Sequence, residues 1–172
     1  MLGIIAVLIG LVLTVLVRVR GAQRSVRCVA NLRSLGDAFA AYATDNRGRY
    51  PDPGRANKSW EQMLMKYYKG PFNCEGDTEL YPAVGSSYDW RDTGRGATTL
   101  AGRSIAEVTR PEAVLAFEAL PGWHAPRKIN VVRVDGAAMT VDDDWCFRDL
   151  LNPIGSAVET TSPSSKRPPP KR

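Results

Sequence analysis

The chain has 172 residues, about one domain's worth, of which 44% are hydrophobic and 24% charged. With 15 Gly, 12 Pro and 3 Cys, that composition excludes a disordered chain, a collagen-like repeat and a disulfide-dense miniprotein. The net charge of +5 belongs to the ends, where Arg18, Arg20, Arg24 and Arg27 and then Lys166, Arg167, Lys171 and Arg172 stand with no acid; residues 28–162 keep 15 cations against 18 acids, which disfavours a nucleic-acid partner for the domain.

Residues 1–17, MLGIIAVLIGLVLTVLV, hold no charged side chain and only Thr14 as a polar one. As a helix the run spans about 25 Å, at the short end of what crosses a bilayer. A cleaved signal peptide needs a basic start and a small-x-small cleavage site. This run starts without a basic side chain and ends in Val15-Leu16-Val17-Arg18, so a retained membrane anchor over residues 1–20 is expected, with lipid as its partner. Beyond the anchor, Val26, Val29, Leu32, Leu35, Phe39 and Tyr42 recur every three or four residues, which is one stripe of an amphipathic helix. The spacing predicts one helix from about residue 2 to about 46, with residues 21–48 as its amphipathic continuation. Asp45-Asn46-Arg47-Gly48 ahead of Pro51 stops it, with Gly48 in the left-handed C′ position.

Residues 49–152 read as a globular α+β head. Ser59 and Gln62 form a capping box for a short helix, WEQMLMKYYK, that stops at Gly70-Pro71. Residues 72–104 read as loops around a short strand at Ser87–Arg91, and Ala113–Glu118 as a strand opened by Pro111. INVVRV, Asp135-Gly136 and AAMTV form a hairpin, expected to close through a two-residue type I′ turn. That pairing puts Val132, Val134, Ala137, Met139 and Val141 on one apolar face, suited to cover the helix stripe. Residues 153–172, rich in Ser, Pro, Lys and Arg, read as a disordered basic tail. The expected fold is α+β: a long anchor-plus-amphipathic helix packed on a small antiparallel sheet.

Several motifs resemble those of pseudopilin-type proteins related to type II secretion. They are LGIIAVLIGLVL, then Cys28-Val29-Ala30-Asn31-Leu32-Arg33-Ser34-Leu35-Gly36, then Tyr42-Ala43-Thr44-Asp45-Asn46 and Tyr50-Pro51. Trp60, Leu64 and Tyr67 resemble the family's short helix, Phe72-Asn73-Cys74 its F-x-C, and Ser87-Tyr88 its S-Y. Ten residues separate His124 from Asp135-Gly136, where the family's His-X9-Asp-Gly signature has nine, and Glu75-Gly76-Asp77 stands where Pro-Ser-Asp is usual. The resemblance implies a pilin-like fold, a head outside the cytoplasm and other pseudopilin-like subunits as helix partners. The four arginines after the apolar run point the other way under the positive-inside rule. A basic leader upstream of Met1, with its cleavage glycine and acidic residue, is expected to reconcile the two.

Candidate sites are few. Cys28, Cys74 and Cys146 lack CxxC spacing, which argues against zinc and allows at most one disulfide, with the pairing open. His124, the sole histidine, has no catalytic companion in the sequence and reads as a loop anchor. Asp135 reads as turn chemistry beside Gly136. Asp142, Asp143 and Asp144 are a calcium candidate, since secretion-type pseudopilins hold calcium near their sheet; otherwise they blunt a strand edge. No phosphate loop, nucleophile motif or paired catalytic carboxylates stand in the chain, so a non-enzyme without a cofactor is expected. The reading is an inner-membrane pseudopilin-like subunit, with a solitary membrane-tethered extracytoplasmic binding module as the alternative.

Overall fold

The computed structural model describes residues 2–93 and 96–155, with side chains from residue 22 onward. Helix α1 runs unbroken over Leu2–Asp45, 44 residues or about 66 Å. Among the described residues no helix is long and apolar enough to cross a membrane. The anchor segment, residues 1–20, lies outside the described side chains.

The buried face of α1 is Cys28, Leu32, Leu35, Ala38, Phe39 and Ala43, with Tyr42 partly buried beside it. Val26 is 69% exposed and Val29 only half-buried, so the start of the expected stripe is corrected. A step of three falls short of 3.6 residues per turn, and three such steps in succession rotate the outer valines off the interface. Cys28 takes the inward position instead, four residues before Leu32. At the other end both Arg47 (φ 58°) and Gly48 (φ 71°) are left-handed, and the Gly48 N–H closes the helix on the Ala43 carbonyl at 2.8 Å. Arg47 therefore shares the conformation expected of Gly48 alone.

A four-stranded antiparallel sheet receives α1: β1 (Tyr88–Trp90), β2 (Val114–Glu118), β3 (Lys128–Arg133) and β4 (Ala138–Asp142), in that spatial order. Phe39 stacks on Trp90 with ring centroids 4.9 Å apart and on Trp60 at 6.0 Å. Gly36 brings the helix down on the sheet, because a Cβ there would lie 2.8 Å from a Val132 methyl. Ser59 caps α3 (Trp60–Leu64) through a complete capping box, but the helix ends well before Gly70. The chain continues in turns that bury Tyr68 against Phe72. Two further helices, α2 (Pro53–Ala56) and α4 (Leu80–Val84), are single turns set by Asp52 and Asp77.

The hairpin differs from its expectation. Gly136 has φ 83°, whereas Asp135 is not left-handed, and Arg133 N–H bonds to the Ala137 carbonyl. The loop therefore holds three residues, Val134, Asp135 and Gly136, with the left-handed residue last, the arrangement of a type I turn with a glycine bulge. That extra residue shifts the register so that Val132 faces Ala138 and Val131 faces Met139. A one-residue slip moves side chains to the opposite face. Val132, Val134 and Ala138 accordingly pack with α1, while Met139 and Val141 join Val114, Phe117, Ile129 and Val131 on the reverse side.

Helix α5 (Asp143–Leu151) covers that reverse side, burying Cys146. The reading of residues 142–144 as a strand end did not foresee it. The head also continues past residue 152, since Ile154 is fully buried and its carbonyl and N–H bond to Thr109 and Ala97. Residues 156–172 lie outside the described residues.

Candidate functional site

Two buried polar clusters stand at opposite ends of β2. At its start the Arg91 guanidinium donates to the Asp149 carboxylate (2.8 Å) and to the carbonyls of Thr98, Asp149 and Asn152. Asp149 also accepts from Arg110 (2.5 Å) and from the Val114 N–H (2.8 Å). Burial alone would raise the Asp149 pKa, but the Val114 N–H and the two guanidinium groups hold it below the ordinary carboxylate value. Every polar atom of Arg91 and Asp149 side chains has a partner, so the cluster pins the end of α5 to the sheet. Its chemistry is structural.

The other cluster gathers Cys28 from α1, Cys74 from the loop after α3, Glu118 from the end of β2 and His124 from the β2–β3 loop. One donor atom from each lies within 4.8 Å of all the others. Cys28 and Cys74 are joined as a disulfide, with Cα atoms 5.5 Å apart. Cys74 Sγ lies 3.1 Å from His124 Nε2 and 3.3 Å from Glu118 Oε1, and those two atoms are 3.0 Å apart. The Glu118 and His124 side chains are 1% and 5% exposed.

The surroundings orient this group. Asn130 donates its backbone N–H to one Glu118 oxygen and its side-chain amide to the other, each at 2.9 Å. The Thr140 hydroxyl, donating to Asn130 Oδ1 at 2.6 Å, fixes which way that amide points. Glu118 acts as an acceptor throughout, so His124 donates through Nε2 and leaves Nδ1 buried without a partner. Gly76 permits the approach of the Cys74 loop, because a Cβ there would meet Trp123 Cβ at 2.9 Å and His124 Cε1 at 3.0 Å.

His124, read as a loop anchor, hydrogen-bonds to Glu118 and also faces the Cys74 sulfur. Cys28 and Cys74 form the one disulfide whose pairing the sequence left open, and the fold brings them to Glu118 and His124 from four separate elements. The sequence did carry one unused sign: Glu118 ends the apolar run AVLAFE, and a carboxylate in a strand buried at every position needs partners.

Other predicted residues stand elsewhere. Asp135 pairs with Arg133 and accepts the Ala137 N–H at 3.0 Å, which is turn chemistry. Asp142, Asp143 and Asp144 open α5 and face Lys128 (2.8 Å), Arg127 (3.8 Å) and Arg127 again. Among the described residues these three carboxylates do not converge as a ligand set. Cys146 is free and buried in the second core, with burial pushing its thiol up to about 12, which makes it inert. Comparison with known proteins finds no family model, curated protein or solved structure that matches the chain.

Proposed function

We propose that the chain is a non-enzymatic, pseudopilin-like subunit, held in the inner membrane by residues 1–20 with its head outside the cytoplasm. One observation supports this reading most. Helix α1 is about 66 Å long, yet its first buried side chain among those described is Cys28. In a helix of that length, a run such as residues 1–17, with no charged side chain, needs lipid or neighbouring helices to cover it. Assembly is then the activity: apolar helix faces bury against each other, and the heads decorate the outside.

The alternative reading is a solitary tethered module that does not polymerise. Two measurements test the anchored, extracytoplasmic placement that both readings share, and a third separates them. Carbonate extraction of cell membranes should leave the chain in the membrane, and alkaline phosphatase fused after Arg172 should be active while a fluorescent protein there stays dark. A chain released by carbonate, or a phosphatase-silent fusion, overturns the anchored extracytoplasmic reading. Oxidising membranes that hold the exposed-site variant Val26→Cys should give a ladder of linked copies if the subunit assembles, and monomers if it stands alone.

A further inference from the structure

A disulfide needs neither a carboxylate nor an imidazole, because bonded sulfurs have no proton to donate and no charge to neutralise. Glu118 and His124 nevertheless face Cys74 from buried positions, and Asn130 and Thr140 hold the carboxylate in its orientation. Two thiolates, an imidazole nitrogen and a carboxylate oxygen are a four-ligand set suited to zinc and similar thiophilic cations. A tetrahedron with metal–ligand bonds of about 2.0–2.3 Å has edges of about 3.3–3.8 Å. The separations among Cys74, Glu118 and His124, 3.0–3.3 Å, reach only the short end of that range, so a bound cation would spread the three donors by a few tenths of an ångström. The fourth corner, Cys28, can part from Cys74 to such an edge only if the sulfur–sulfur bond is broken.

We propose that Cys28, Cys74, Glu118 and His124 form a redox-gated site for a thiophilic divalent cation, closed by the disulfide and opened by its reduction. The step balances with a dithiol as reductant. The dithiol passes two electrons and two protons to the Cys28–Cys74 bond, giving two thiols and a cyclic disulfide. The cation then displaces both thiol protons to solvent and takes two sulfurs, His124 Nε2 and a Glu118 oxygen. Metal at Nε2 sends the imidazole proton to Nδ1, where no acceptor waits. Tight zinc histidines have such an acceptor, and its loss typically weakens binding 10–100-fold. Affinity about 10–100-fold below that of a site with such an acceptor is therefore expected.

The test uses the full chain in detergent with Cys146→Ala, which removes the one thiol outside the cluster. The chain is reduced with a dithiol, desalted without oxygen and titrated with Co2+. One Co2+ per reduced chain should bind, with thiolate charge-transfer and tetrahedral d–d bands that Zn2+ abolishes, and the oxidised chain should show neither. His124→Ala should weaken Co2+ binding at least tenfold and alter the d–d bands, with Glu118→Gln as the parallel variant should His124→Ala not fold by circular dichroism. A reduced wild-type chain that unfolds supports the site if Co2+ restores its circular dichroism, and overturns it if Co2+ does not. Equal binding by oxidised and reduced chains, no binding by a folded reduced chain, or unchanged affinity in the folded variants also overturns it.

Discussion

The clusters at the two ends of β2 bury similar kinds of groups to different ends. Around Arg91 and Asp149, donors and acceptors match, and the result is a staple between α5 and the sheet. Around Cys74, a carboxylate and an imidazole face a sulfur that needs neither, and one ring nitrogen is left unpaired. A group kept buried beyond what its neighbours require is a sign of chemistry, whereas complete pairing is a sign of architecture.

The largest expected effect comes from the architectural side. Asp149→Ala leaves Arg91 buried and uncompensated, and breaking a buried pair in this way costs about 3–5 kcal/mol. Urea denaturation should show that loss as a lower midpoint. A midpoint like wild type would mean that the staple carries no weight. At the other cluster, Cys28→Ala with Cys74→Ala opens a loop with a sequence separation of 46, for which about 2–4 kcal/mol is typical. That pair should lower the midpoint less than Asp149→Ala does, and the same denaturation series reads the ranking.

Acid sharpens the contrast with a smaller effect. The Asp149 carboxyl lies below its ordinary value, so its stabilisation is complete above the unfolded value of about 3.9 and is lost as pH falls through the lower folded value. Asp77, held low by the Ser87 hydroxyl and the N–H groups of Glu79, Leu80 and Tyr81 against the opposing effect of burial, adds loss in the same window. Stability should therefore fall as pH drops below about 4, and Asp149→Asn should flatten that fall. An unchanged slope in Asp149→Asn would assign the acid sensitivity to other carboxylates.

How much of this was legible in the sequence follows from range. The inner half of the α1 stripe, Leu32 to Tyr42, was readable because helical periodicity is local, and the Ser59 capping box because it needs only four residues. The hairpin was readable as a hairpin, but its loop size was not, since Asp-Gly suits both a two-residue turn and a three-residue loop ending in left-handed Gly136. Helix α5 was hidden because Asp142, Asp143 and Asp144 read as solvated charge, although acids are favoured in a first helical turn. Ile154 was hidden by the Pro- and Ser-rich composition around it. The Cys28, Cys74, Glu118 and His124 cluster could not be read by spacing at all, because tertiary packing alone joins four distant elements.

The extracytoplasmic head is the central claim, and the redox state of its own cysteines in living cells tests it most directly. Cells producing the full chain are quenched in acid, denatured and treated with a mass-tagged maleimide, so that only free thiols are labelled. An oxidising compartment keeps Cys28 and Cys74 joined, and a single label on Cys146 is predicted. Three labels per chain would place the head in a reducing compartment and contradict the account.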